Sequence, residues 1–164
     1  MNILICGNLG YLGPVVSKHL KTSIPFSRIT GLDTGYFSSR LSSLSRIGDT
    51  YCDFQIYQDI REIEINMLSE FDAIVLLSAI SNDPMGSKFE EVTNEINYLA
   101  LKRMIESYVT LPNKRLVFAS SCSMYGASEG KGKKETDNLN PLTAYARSKV
   151  AVERVLENLK LGAG

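Results

Sequence analysis

Apolar residues in this chain come in short unbroken runs, separated by stretches with a three-to-four-residue rhythm. Ile3-Leu4-Ile5-Cys6 is apolar throughout and stops at Gly7. A strand covered on both faces reads this way, because neither face meets water. Arg28 to Leu32 forms a second run ending at Asp33, Asp53 to Tyr57 a third, Asp72 to Ser78 (DAIVLLS) a fourth, and Arg115 to Ala119 a fifth. Helical spacing lies between them. From Leu12 to Leu20, the residues Leu12, Val15, Val16 and His19 share one face, with His19 read as a satisfied structural histidine. Pro14 lacks an N–H and fits only a first turn, so that helix begins within a residue or two of Gly13. Asn66 to Phe71 predicts a short helix. Lys88 to Val109 predicts a long one, whose stripe of Phe89, Val92, Ile96, Leu99, Met104 and Ile105 is assigned to core. Pro141 to Leu159 predicts a last helix, with Gly162 beyond its end. Thr34 to Thr50 reads as a loop, with or without a short helix, and Ser81 to Gly86 as a loop.

Strands separated by crossover helices cannot pair as hairpins; they pair in parallel with right-handed crossovers. The class is therefore α/β: a Rossmann-like doubly wound parallel sheet of about five strands, with helices on both faces. Residues 1–164 are expected to form one such dinucleotide-binding domain.

Composition narrows the function. The 164 residues are 44% apolar, and eighteen Lys plus Arg balance eighteen Asp plus Glu. Zero net charge argues against a polyanion binder, whose affinity comes from excess cations on phosphates. Cys6, Cys52 and Cys122 are odd in number and widely spaced, and His19 is the single histidine. Neither a disulfide framework nor a Cys/His metal site is expected. The start has no basic region ahead of its apolar run, and the longest apolar stretch, Ala73 to Ile80, is too short to cross a bilayer. The expectation is a cytoplasmic protein with no metal, nucleic-acid or membrane partner.

The first chemical signal is Gly7-Asn8-Leu9-Gly10-Tyr11-Leu12-Gly13, between strand and helix. Gly7 permits the tight turn, Gly10 lets backbone N–H groups approach a pyrophosphate, and Gly13 lets the helix pack on the strand. The helix N-terminus adds oriented amides and partial positive charge. Gly13 is followed by Pro14-Val15 and not by Lys-Ser/Thr, which disfavours a P-loop. Asp33, twenty residues beyond Gly13, ends the second strand. It either accepts both ribose hydroxyls, which favours NAD over NADP, or caps a turn. Arg40 and Arg46 in the next loop keep NADP as the lesser option.

The second signal is Tyr145-Ala146-Arg147-Ser148-Lys149, which puts Tyr145 and Lys149 on one helical face. An ammonium beside a phenol favours phenolate, so the tyrosine can move protons near neutral pH. Ser121 follows the fifth strand, at the carboxyl edge where parallel sheets collect active groups, and can donate to the same substrate oxygen.

Together these residues resemble the extended short-chain dehydrogenase/reductases of the NAD-dependent epimerase/dehydratase family, which act on nucleotide sugars. The matching pieces are GNLGYLG (Gly7 to Gly13), Asp33, Asp59-Ile60, LLSAIS (Leu76 to Ser81), Asn97, SSCSMYG (Ser120 to Gly126) and YARSK (Tyr145 to Lys149). The resemblance implies cofactor contacts from Gly7, Gly10, Tyr11, Leu12, Gly13 and Asp33. It places Asp59 and Ile60 beside the adenine and the Leu77-Ser78-Ala79 backbone along the cofactor groove. Asn97 sits behind the lysine in a proton relay, and Tyr145 and Lys149 also meet the cofactor. Ser121, Tyr145 and Lys149 correspond to the catalytic trio, and Ser123 and Tyr125 lie near the sugar. Ser81 and Asn82 touch substrate or belong to an ordinary loop. Lys131 to Lys134 is a solvated basic run or grips a substrate diphosphate.

Family members that eliminate water resemble each other in an Asp-Glu after the catalytic residue, where this chain has Cys122-Ser123. The sequence is thus closer to a 4-epimerase, with a sugar oxidoreductase or dehydratase and a non-catalytic NAD-binding module as alternatives. In epimerase chemistry Tyr145 removes a hydroxyl proton while hydride moves to the nicotinamide and later returns to the other face. The family also implies a homodimer through the long helix and the Tyr/Lys helix. Its members are longer, so the substrate-binding region is expected to be absent from these 164 residues.

Overall fold

A computed structural model describes residues 1–36, 51–81, 88–127 and 132–159. Five strands form one sheet: β1 (Asn2–Cys6), β2 (Arg28–Asp33), β3 (Phe54–Tyr57), β4 (Ala73–Leu76) and β5 (Arg115–Phe118). The order is β3-β2-β1-β4-β5 and every pairing is parallel. This is the Rossmann-like arrangement expected from the alternation of runs. The helical elements are α1 (Gly13–Ser23), α2 (Glu90–Asn94), a π-helical segment (Glu95–Ala100), α3 (Leu101–Tyr108) and α4 (Ala144–Asn158). Short 3-10 turns cover Ile65–Glu70 and Cys122–Tyr125.

The chain divides into two compact units, residues 1–78 with 104–119, and residues 79–103 with 120–164. In the first, β1 is central. Its residues Ile3 to Cys6 are buried, so water touches neither face, and the run carries no alternation. Ile3, Ile5, Ile29 and Val75 form a core against which Val16, Leu20, Ile24 and Leu77 pack. That packing corrects the predicted face of α1. Leu12, Val15 and His19 are exposed, while Gly13 and Ser17 are buried. The helix lies so close to the sheet that its inward side uses the two smallest residues. His19 meets Ser23 at the surface and is not a core histidine.

The second unit joins α2, the π segment, the first residues of α3, the Cys122–Tyr125 turn and α4. Here the long predicted helix differs from expectation twice. It contains a π segment, where the hydrogen-bond ladder slips by a residue. Its first half also buries Thr93, Asn97 and Ala100 while Phe89, Val92 and Leu99 are exposed. The stripe assigned to core is core only from Leu101 on, where Leu101, Met104, Ile105 and Tyr108 are buried. α4 starts at Ala144, later than Pro141, because the Thr143 hydroxyl caps it by accepting from the Ala146 N–H at 3.1 Å. Residues 37–50, including Arg40 and Arg46, and 82–87, with Asn82, lie outside the described residues, as do Lys131 and Gly162. Among the described residues no helix is long and apolar enough to cross a membrane.

Leu4 is fully buried at the centre of β1, between β2 and β4. Leu4→Ala is expected to cost about 3 kcal/mol. In urea unfolding this appears as a lower midpoint with an unchanged slope.

Candidate functional site

The glycine turn belongs to the first unit. At the end of β1 the chain reverses between two neighbours: the Gly7 N–H donates to the Leu32 carbonyl at 2.8 Å, and the Leu77 N–H donates to the Cys6 carbonyl at 2.8 Å. Gly7 has φ +88°, and a Cβ there would lie 2.6 Å from the Ser78 nitrogen. Only glycine combines that backbone with that approach. Gly13 is required for a different reason: a Cβ on it would lie 2.1 Å from the Asn8 carbonyl oxygen. Gly10 is the least crowded of the three: among the described residues an added Cβ would meet the Gly7 carbonyl oxygen alone, though tightly, at 3.2 Å.

α1 begins beside this turn with no side chain capping its N-terminus and with Pro14 in its first turn. An uncapped helix start carries partial positive charge and unpaired N–H groups, the setting that suits a phosphate. Tyr11 is 92% exposed and Leu12 is also exposed. Asp33, at the end of β2, accepts from the Leu9 N–H at 3.2 Å and the Gly35 N–H at 2.8 Å. It thus does cap the turns on both sides. A carboxylate has about four acceptor positions, so capacity for ribose hydroxyls remains. On these three observations the residues fit a dinucleotide pyrophosphate and ribose.

Elsewhere in this unit, Asp59 is held by Arg61 through its backbone N–H, Nε and a terminal guanidinium nitrogen. The Arg61 side chain keeps its carboxyl below the usual range. Ile60 is buried, and Leu77 and Ser78 are half-buried. Burial pushes the Cys6 thiol up to about 12, which makes it inert.

The serine, tyrosine and lysine belong to the second unit, with Ala79. Ser121 caps the Cys122–Tyr125 turn, and its Oγ accepts from the Ser123 N–H at 3.2 Å and the Ser123 hydroxyl at 2.9 Å. Tyr145 and Lys149 stand one turn apart on α4, as the spacing requires. The Lys149 Nζ lies 5.4 Å from the centre of the Tyr145 ring. Lys149 is only 2% exposed, and burial pushes its ammonium down from 10.5 to about 8. Asn97 stands on the π segment. Its Oδ1 accepts from the Ile80 N–H at 2.8 Å, and its Nδ2 donates to the Ile80 carbonyl at 3.0 Å and to the Ser148 hydroxyl at 3.3 Å. The Ser148 hydroxyl in turn donates to the Tyr145 carbonyl at 2.7 Å. One buried network thus runs from Ile80 through Asn97 to the tyrosine turn.

Tyr125 is half-buried; burial, then Glu135, Glu153 and Asp137, raises its phenol. Ser81 is exposed, as are Lys133 and Lys134. Among the described residues no cluster of three His, Cys, Asp or Glu could hold a metal. Sequence reasoning missed two features: the π segment beneath Asn97, and the polar partners of Asn8 inside the first unit. The sequence does put polar Thr93 and Asn97 within the apolar stripe and an amide between two glycines, but neither by itself marks a π segment or a buried side chain.

The model of the NAD dependent epimerase/dehydratase family matches residues 3–163. The chain belongs to that family. It is 28% identical over 162 residues to an ADP-L-glycero-D-manno-heptose-6-epimerase of Brachyspira hyodysenteriae, covering 96% of this chain and 48% of that protein. It is 26% identical over 161 residues to a UDP-glucose 4-epimerase of Lacticaseibacillus casei, covering 95% and 46%. A UDP-glucose-4-epimerase structure from Stenotrophomonas maltophila, with bound NAD and formylated UDP-arabinopyranose, superposes with a TM-score of 0.81 at 24% identity, over 97% of this chain and 48% of that one. At that identity the likeness shows the fold. The chain spans about half the length of the curated relatives it matches.

Two predictions follow from this geometry. Gly13→Ala is expected to destabilise the fold by about 2 kcal/mol or more, while Gly10→Ala leaves the melting temperature within a few degrees. Equal losses on thermal melting would contradict the difference in packing. The buried lysine sets a pH dependence. Between pH 8 and 10.5 the unfolded chain holds more of the Lys149 proton than the folded one, so stability rises with pH across that window. Below about 8 the cost of burying the charge is present in full. Lys149→Met removes the titration. Relative to that variant, the wild type is expected to gain about 2 kcal/mol between pH 7 and pH 10 in urea unfolding.

Proposed function

We propose that this member of the NAD dependent epimerase/dehydratase family takes part in NAD-dependent epimerisation of a nucleotide sugar, of the 4-epimerase kind. The observation that carries the reading is Lys149, almost wholly buried with its ammonium over the face of Tyr145. Burying an ammonium is costly, and a fold tolerates it where the charge is used.

Gly7, Gly10 and Gly13 would hold the pyrophosphate against the start of α1. Asp33 would hold the adenosine ribose, and its negative charge disfavours the 2′-phosphate of NADP. Asp59 is already engaged by Arg61, so contact with the adenine falls to its backbone and to Ile60. Leu77, Ser78 and Ala79 line the groove in this reading. NAD, when bound, supplies the acceptor and donor of hydride. The proton is the protein's task. The Tyr145 Oη takes it from the sugar hydroxyl, and Lys149 favours the phenolate that does so. Ser121 donates to the same sugar oxygen. Both acceptor positions of its Oγ are occupied by Ser123, so its own hydrogen is the group left to offer. Asn97 holds Ile80 and, through Ser148, the turn that bears Tyr145. Ser81, Asn82, Ser123 and Tyr125 are the candidates for sugar contact.

Exposed Phe89, Val92 and Leu99 support pairing with a second copy through the long helix and α4, since an outward apolar stripe on a helix suits a bundle. Buried Cys6 and exposed Cys122, neither in a disulfide, support a reducing, cytoplasmic setting. A second reading, a non-catalytic NAD-binding module, is favoured by one fact: these residues correspond to half of each relative.

Calorimetry with NAD, followed by incubation with NAD and UDP- or GDP-hexoses, separates the two. The expected result is NAD binding, conversion of one hexose to its C4 epimer, and a Tyr145→Phe variant with unchanged affinity but turnover lower by about a thousandfold. Binding without conversion of any sugar selects the non-catalytic module. A fully active Tyr145→Phe removes the tyrosine from its role, and a chain that binds no NAD overturns both readings.

A further inference from the structure

The side chain of Asn8 is fully buried inside the glycine turn, although only the backbone of that position is needed for the turn itself. Its Nδ2 donates to the Gln55 Oε1 at 2.7 Å, and its Oδ1 accepts from the Gln55 Nε2 at 3.2 Å. The remaining Nδ2 hydrogen has the Cys52 Sγ within reach at 3.7 Å. Two amides thus face each other in a reciprocal pair, 47 residues apart in sequence. Gln55 is on β3, and the strand between is β2, whose Gly31 is in register with Gln55. A Cβ on Gly31 would lie 2.2 Å from the Asn8 Nδ2. The amide therefore crosses β2 at the one place where that strand has no side chain. Meanwhile the Asn8 backbone presses on Gly13, the first residue of α1. The same residue is anchored to β3 by its side chain and sets the seat of the helix start by its backbone.

We propose that the Asn8–Gln55 pair, admitted by Gly31, is a positioning device for cofactor binding. It fixes the backbone of the glycine turn, and with it the N–H groups that meet the pyrophosphate. The inference rests on the NAD-binding reading above. A three-glycine turn has soft backbone dihedrals and would otherwise lose entropy on gripping a ligand. A bidentate amide pair removes that freedom in advance, and on its fully buried Asn8 side an unmatched amide would be costly.

The test uses Gln55→Leu, Asn8→Ala and the double variant, each measured for thermal stability without cofactor and for NAD affinity by calorimetry. Gln55→Leu strands the buried Asn8 amide and should be less stable; Asn8→Ala leaves the half-buried Gln55 amide its bond to the Ile56 carbonyl and should lose less. The double variant strands neither and should recover stability. A purely structural role predicts that NAD affinity recovers with it. Positioning predicts that affinity stays about tenfold weaker than wild type in the double variant, with single and double losses alike rather than additive. Gln55→Met, neutral and of similar length but without the amide, covers the case of a double variant that does not fold; a loss of twofold or more in a folded Gln55→Met supports the proposal. Wild-type affinity in the double variant or, where that fails to fold, in Gln55→Met overturns the proposal while leaving the NAD reading intact. A wild-type chain that binds no NAD overturns that reading, and this one with it.

Discussion

The first unit depends on one close approach, the end of β1 against its two neighbouring strands and against α1. Parallel strands stand less than 5 Å apart, so a chain leaving the middle strand has almost no room in which to turn. Gly7 solves the problem with a left-handed backbone, tied to β2 by its N–H and flush against the Ser78 backbone. Gly13 then lets α1 return onto Asn8. Everything else in the unit is arranged around that contact. The fully buried residues of α1 are the small Gly13 and Ser17, with Val16 and Leu20 packed on the sheet core beside them. Asp33 caps the turn from β2, and Gln55 holds it from β3. Of the three glycines, Gly10 is the least crowded by its described neighbours.

The second unit buries polar groups beside its apolar ones. Thr93, Asn97, Ser148 and Lys149 are all buried there. Each buried polar group must be satisfied or carry a cost of kilocalories. Asn97 meets that demand with both backbone groups of Ile80 and with Ser148. The π segment that carries Asn97 disturbs a helix ladder, which suits a place where side-chain reach matters more than regularity. Polar residues inside and Phe89, Val92 and Leu99 outside invert the usual pattern of a surface helix. Such inversion is stable when the outward apolar face has somewhere to go, which is the physical ground for reading it as an interface.

The sheet was legible because its signal is composition over four or five residues. Buried parallel strands admit few residue types, and Ile3 to Cys6 or Ala73 to Leu76 have no other reading. The glycine turn and the Tyr145–Lys149 spacing were legible because each requirement is local: a dihedral, a near contact, one helical turn. Three readings failed for one shared reason. The faces assigned to α1, to His19 and to the first half of the long helix all assumed that apolar means inward. That rule holds on average and says nothing where a helix must come close, as α1 does, or where the inner side carries a buried hydrogen-bond network, as at Asn97. The π segment left no local mark, since a one-residue slip in hydrogen bonding needs no special residue.

Asn8 shows what lies beyond such local reading. Within Gly7 to Gly13 it is one of the unspecified positions, and nothing in its neighbourhood distinguishes it from a solvent-facing turn residue. Its role depends on Gly31 and Gln55, on two other strands. Each of these looks unremarkable alone: a glycine that weakens a strand, and a polar residue in a short β run. They become intelligible only as a set, because the glycine makes the passage, the glutamine waits at its end, and the asparagine fits both. A family motif specifies what all such turns share, the glycines that make room for phosphate. The stiffness of an individual turn is set by residues the motif leaves free, and in this chain those residues are three strands wide.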